Sequence, residues 1–391
     1  MRRRRLPLLR PLAAAALLAA AGAALAAPYK VTLLVRADDP RLARDRLERA
    51  YLGQPGGPAQ DGLNVALKEA AFELEAAGTA LTLETVAVAD AAAARAAAQK
   101  AEKAGAAVLL TDLDAAATIA VADAVQRPVL NLGAADDRLR GADCKAKLLH
   151  LAPSERMRAD ALAQTLAARK WPQVLLLTGP SPRDAERAAV AQAAIKRYGL
   201  KLVASKPFKL SADPRERDLA NPLLLTGGAS YDVVWVVDSD GEFARSLPYR
   251  TALPRPVVGD AGLVALAWHA QFERFGAPQV ARRFQKAAGR PMTAPDWASW
   301  MAGKALVAAA VAAPKGQAAA FEKALFEGGV DGSKGVVMSF RPWDGQLRQP
   351  LLLTDGQAVV SSAPIEGVLH PKNVLDTLGA DAPEKLCKAR L

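Results

Sequence analysis

Residues 101–139 run AEKAGAAVLLTDLDAAATIAVADAVQRPVLNLGAADDRL. A helical pattern ends on Gly105, a residue suited to closing a helix. AAVLLT is a strand-length apolar run, DAAATIAVADAV is helical, and RPVLNLG is strand-like again after Pro128. Strand, helix and strand in so short a space form a crossover unit, which joins parallel strands.

The same alternation continues on both sides. Upstream lie KVTLLVR, the helical DGLNVALKEAAFELEAAG, the alternating LTLETVAV and the helix DAAAARAAAQKAEKAG. Downstream the pattern restarts: LLHLAP, the helix SERMRADALAQTLAARK, then QVLLLTG, PRDAERAAVAQAAIKRYG, LKLVASKPF, DVVWVVDS and RPVVGDAGL. The prediction is an α/β chain of two lobes, each a parallel sheet flanked by helices, with a cleft between them. The expected boundaries are a first lobe over 27–151, a second over 152–262, and a return to the first lobe over 263–391. That last part holds three helical stretches, a hairpin with its turn at Trp343-Asp344-Gly345-Gln346, and a further strand after Asp355-Gly356.

At 391 residues and 51% hydrophobic, the chain is too large for one core. Residues 1–26 have the form of an export signal: basic MRRRRLPLLR, an Ala- and Leu-rich run, then Ala24-Leu25-Ala26. Five of the 51 Lys and Arg fall in that segment and none of the 40 acids does, so the remainder carries +6 rather than +11. So modest an excess, with 5% aromatics, offers no nucleic-acid stripe. Export into an oxidising compartment predicts a Cys144–Cys387 disulfide, since these are the two cysteines. No G-x-S-x-G, H-E-x-x-H or G-x-G-x-x-G motif occurs where it would make an enzyme, and no cofactor is expected.

Candidate ligand-binding residues stand where strands end. Asp112 and Asp114 follow one strand, Gly133, Ala134 and Ala135 another, and Asp136 and Asp137 come next. In the second lobe Gly179, Ser181 and Arg183 follow QVLLLT, Asp238 follows VVWVV, and Asp260 follows VVG. Asp238, Asp240 and Glu242 fit three roles: a helix cap, an organic-ligand site, or a set of oxygen ligands for a metal ion. If these acids converge with Asp260 and Asp112, the cleft is acidic, suits a multivalent cation and repels anions. Trp268 and His269 are placed to close over a ligand or to pack at the hinge, His150 is expected to be structural, and His370 has no assigned role.

The stretch 101–139, together with LLHLAPSERMRADALAQTLAARKWPQVLLLTG, resembles the type I periplasmic binding proteins, in the branch that binds branched-chain amino acids for ABC transporters. A narrower resemblance runs through SLPYRT, PRPVVGDAGL, AWHAQFERFGAPQVARRF, AGRPMTAPDWASW, FRPWDGQLRQP and LDTLGADAPEKLC. These strings, in order, look like a subfamily of substrate-binding proteins associated with PQQ-dependent alcohol oxidation. The resemblance implies a periplasmic receptor that closes on a small ligand and docks on the membrane subunits of an ABC transporter, with a quinoprotein dehydrogenase as a possible partner. Amino-acid receptors of this class carry a Ser-Ala-Ser/Thr loop where this chain has Gly133-Ala134-Ala135. Without those hydroxyls a polar ligand group goes unpaired, so a free amino acid is not the expected ligand. Two alternatives stay open: a receptor for calcium or a lanthanide, and a non-transport partner of the dehydrogenase.

Overall fold

The computed structural model describes residues 29–43, 56–313 and 317–390; the expected export signal lies outside them. The first lobe comprises β1 (Tyr29–Arg36), α1 (Gln60–Glu69), α2 (Ala71–Ala76), β2 (Leu81–Val88), α3 (Ala91–Lys103), β3 (Ala106–Asp112), α4 (Ala115–Ala122), β4 (Val129–Asn131) and β5 (Leu148–His150). Its strands are parallel, in the order β2-β1-β3-β4-β5. Asp90 and Asp114 cap α3 and α4 by accepting the N–H of Ala93 and Ala117.

The second lobe repeats the plan with α5 (Glu155–Ala168), β6 (Gln173–Thr178), α6 (Pro182–Arg197), β7 (Lys201–Pro207), α7 (Pro222–Thr226), β8 (Val233–Val237), α8 (Glu242–Ser246) and β9 (Val257–Gly259). Its parallel sheet has the order β7-β6-β8-β9, the same arrangement about its first strand. All five residues of β8 are buried, as expected of a strand covered on both faces. The predicted parallel, two-lobed α/β architecture is what the chain adopts.

The C-terminal part comprises β10 (Val264–Leu266), α9 (Ala277–Ala288), α10 (Ala294–Ala312), α11 (Ala318–Glu327), β11 (Gly329–Asp331), β12 (Val337–Ser339), β13 (Leu351–Thr354) and β14 (Val359–Ala363). It divides between the lobes instead of returning whole to the first. Val280, Phe284, Trp297, Met301 and Phe321 join the first-lobe core, whereas Leu351, Leu353, Ala363 and Leu378 join the second. The physical reason is a third sheet, β10-β13-β14, whose apolar face packs on α5. The Asp355-Gly356 turn joins the regular β13–β14 hairpin, while Trp343–Gln346 closes a single Phe340–Leu347 bridge. Helix α10 packs so closely on α1 that a Cβ at Gly62 would lie 2.3 Å from the Asp296 carbonyl oxygen.

Buried polar side chains tie the crossovers between lobes. Gln346 Nε2 donates to the carbonyls of His150 and Ala152, Gln349 Nε2 donates to Leu151 O, and Arg140 donates to Ala152 O and Gln346 Oε1. Each satisfies a backbone carbonyl or side-chain oxygen that burial would otherwise penalise. His150, fully buried, meets Asn131 Nδ2 through Nδ1 at 3.0 Å and is structural. The tail then runs from the second lobe to the first: Gly379 N–H donates to Asp160, and Cys387 bonds to Cys144 with 5.6 Å between Cα atoms. The predicted disulfide is present.

Asp160 has no exposed surface. Burial pushes its carboxyl up to about 6 despite Arg197, the Gly379 N–H and Arg156 around it. A raised folded value means that the native state holds more protons than the unfolded chain between 3.8 and about 6. Stability contributed here is therefore lost as pH rises through that window, by about 3 kcal/mol. Asp160→Asn is expected to flatten this part of the profile, read from urea unfolding between pH 4 and pH 7. An unaltered slope would show that other groups set it.

Candidate functional site

On the first-lobe side of the cleft, the ends of β1, β3 and β4 bring together Arg36, Asp39, Arg41, Asp114 and Gly133–Asp136 around a cavity of about 440 Å³. Arg41 Nη2 lies 2.8 Å from Asp112, so that acid is paired instead of open to a cation. Asp114 is occupied in capping α4. The backbone N–H groups of Gly133 and Ala134 are not free either. Both donate to Asn131 Oδ1, at 3.2 and 2.9 Å, and Asn131 Nδ2 donates back to Ala134 O. One side chain fills the role that a ligand carboxylate would need from these amides.

Gly133 is also a steric requirement. A Cβ there would lie 2.6 Å from Asp112 Oδ1 and 3.1 Å from the Leu113 carbonyl oxygen. Gly133→Ser is expected to lower stability by about 1–2 kcal/mol without creating amino-acid binding. Thermal unfolding with and without leucine checks both parts, and a stable, leucine-binding variant would refute them.

In the second lobe Asp238 turns out to be a cap. Its Oδ2 accepts the Ala244 N–H at 2.9 Å, and burial pushes its carboxyl up. Asp240 and Glu242 are exposed, and among the described residues no three His, Cys, Asp or Glu side chains gather so as to hold a metal ion. The metal set Asp238, Asp240 and Glu242 is thus corrected, because the first acid is turned to its own helix and the three do not converge. Ser181 caps α6 in a reciprocal pair with Asp184 and lines no described cavity. Asp184 also accepts the Ser239 N–H at 2.7 Å, fastening the loop after β6 to the loop after β8. Gly179 leaves room for it: a Cβ there would meet Asp184 Oδ2 at 2.5 Å.

The charged centre of the cleft lies beside these acids. Arg187 on α6 grips Asp260 with two hydrogen bonds, of 2.8 and 2.6 Å, and Asp260 also accepts the Asp238 N–H. Three guanidiniums gather on Glu155: Arg187 at 3.4 Å, Arg158 and Arg183 at 3.8 Å. Burial opposes the Glu155 carboxylate, but Arg158, Arg187 and Arg183 outweigh it and hold its pKa below the usual value. The expected acidic cleft is therefore balanced by arginine. Next to this cluster lies a cavity of about 330 Å³, walled by Leu162, Val190, Trp235, Val264 and Leu266 and reached from the first lobe by Thr293–Pro295.

Trp268 and His269 stand elsewhere. Trp268 is fully buried in the first-lobe core, stacked on Trp297 and edge-on to Phe272. His269 is buried too and accepts the Gln271 N–H. Neither lines a cleft cavity, because the chain after β10 turns into the first-lobe helices. Glu155, Arg158 and Arg187 were missed as site residues. Their signal was helical spacing: Arg183, Arg187 and Val190 share one face at the start of a helix that follows a strand.

No family model matches the chain, and no curated protein does. Solved structures do. A branched-chain amino acid ABC transporter periplasmic ligand-binding protein from Burkholderia xenovorans superposes with TM-score 0.70 at 14% identity, over 93% of this chain and 100% of that one. The fold is that of the periplasmic binding proteins. A leucine-, isoleucine-, valine-, threonine- and alanine-binding protein from Brucella ovis, in its closed conformation, gives 0.68 at 14% identity over 84% and 89%. A solute-binding protein of an ABC transporter from R. palustris, in complex with benzoate, gives 0.63 at 15% over 84% and 92%. The two cavities lie at the carboxyl ends of the strands, that of about 440 Å³ in the first lobe and that of about 330 Å³ in the second.

Proposed function

We propose that this protein is a periplasmic solute receptor of an ABC-type transport system and that its ligand is a small organic anion with an apolar body. The observation that carries the ligand class is the gathering of Arg158, Arg183 and Arg187 on the single carboxylate of Glu155 beside an apolar cavity. Arg158 and Arg187 both line that cavity, where their guanidiniums can meet an anion. The R. palustris protein of the same fold that was solved with benzoate supports an aromatic acid as the first class to try.

Binding would draw the lobes together, and the closed form would dock on membrane subunits without turnover of the ligand. The sequence resemblance supports a place beside a PQQ-dependent alcohol oxidation system, whose full oxidation products are carboxylates. Thermal unfolding against benzoate, aliphatic carboxylates and PQQ tests the reading. A ligand at about 100 times its Kd adds about 2.7 kcal/mol to the folded state. Over a chain this long that raises Tm by roughly 3 °C. A rise that Arg158→Met abolishes supports the cleft as the site. Flat melts across the panel would favour a partner protein that binds no small molecule.

A further inference from the structure

Outside the cleft, the largest described cavity, about 840 Å³, opens between the 271–275 loop and the β13–β14 hairpin. Lys334 is in its lining and is only 4% exposed. The ammonium sits 3.6 Å over the Trp297 ring and donates to the Pro350 carbonyl at 3.0 Å and to Gln349 Oε1 at 3.5 Å. Among the described residues no carboxylate pairs with it. A buried cation without a counter-charge is costly, and burial alone pushes Lys334 well below a lysine's ordinary value.

The backbone is bent to place this side chain. Ser333 and Gly335, on either side of Lys334, both have left-handed φ, 56° and 79°. Phe275, also left-handed at φ 54°, stands at the cavity lip with 59% of its surface exposed. Its ring lies where a Cβ on Gly335 would be, at 2.8 Å. Non-glycine residues in this region cost of order 1 kcal/mol each, and such residues cluster at ligand clamps.

We propose that this cavity is a second binding site, separate from the cleft, for a small organic carboxylate. Lys334 meets its charged end, and Phe272 and Phe275 flank its flat apolar body. The ligand supplies the counter-charge that Lys334 lacks. Glu273 and Glu366 on the same lining disfavour a second negative charge, so a monocarboxylate fits best.

The test uses 4-bromobenzoate with the purified protein. Anomalous scattering from co-crystals locates bromine, and calorimetry follows wild type, Lys334→Met and Arg158→Met. The expected result is bromine between Phe272 and Lys334, with affinity at that site reduced at least about tenfold by Lys334→Met and unchanged by Arg158→Met. Bromine confined to the interlobe cleft, or affinity that survives Lys334→Met, overturns the proposal. Should Lys334→Met fail to fold, the bromine position in wild type decides alone.

Discussion

Arg187→Met is expected to lower the unfolding free energy by about 2–3 kcal/mol. The guanidinium makes a two-pronged contact with Asp260 and also faces Glu155 at 3.4 Å. Side chains in this group are 12–21% exposed, so solvent screens them only in part. Removing the arginine leaves the half-buried Asp260 without its cation, which costs more than the pair itself contributes. Breaking a fully buried pair costs about 3–5 kcal/mol, and the remaining exposure places this one at or below the lower end. The loss should shrink when Asp260→Asn is added, with a coupling of about 1–3 kcal/mol in the double-mutant cycle. It should also shrink in acid, once the Glu155 carboxylate protonates. Denaturant unfolding of the four proteins at neutral and low pH checks this. Simple additivity would mean that Arg187 acts through packing of its stem.

The second large effect is expected from removing the staple. Cys144 and Cys387 lie 243 residues apart in sequence. Chain entropy for a loop of that length corresponds to about 5 kcal/mol, less whatever structure the unfolded chain retains. Cys144→Ser/Cys387→Ser should therefore lower Tm by roughly 5 °C in a chain of this size. The damage should begin locally. Without the bond the last turn is held by Arg156 on Glu384, Trp343 Nε1 on the Ala380 carbonyl and Arg390 on the Leu148 carbonyl. Trypsin should then cut at Lys385 and Lys388 before the rest of the molecule is digested. A double variant that melts with wild type and keeps a resistant tail would show that the bond adds nothing.

Most of the architecture was legible because it rests on local rules. The apolar runs AAVLLT and VVWVV are strands buried on both faces, and Asp90, Asp114, Ser154 and Ser181 cap the helices that follow. The site was legible only as a set of strand ends. Which acid meets which arginine depends on register between distant elements: Asp112 with Arg41, Asp260 with Arg187. Counting acids left a cation-seeking cleft open, and the arginines on Asp112 and Asp260 take those two acids out of it. The Gly133-Ala134-Ala135 loop carried a partial message. Its missing hydroxyls were visible, but the capture of its amides by Asn131 was not, since an Asx turn looks the same in sequence whether its amides are taken or free. The split of the C-terminal part between lobes was hidden for a similar reason: LLLT fits either sheet until its neighbours are known.

The tail that crosses from one lobe to the other has a length. Its second-lobe anchor is the Gly379 N–H on Asp160, and its first-lobe anchor is Cys387 on Cys144. Eight peptide steps separate them, which at full extension reach about 28 Å. The tether therefore sets a maximum gape for the two lobes while both anchors hold, whatever the crossover segments would allow. Opening beyond that reach must first lift Gly379 off Asp160, which couples the width of the mouth to a carboxylate on the far side of the second lobe's first helix.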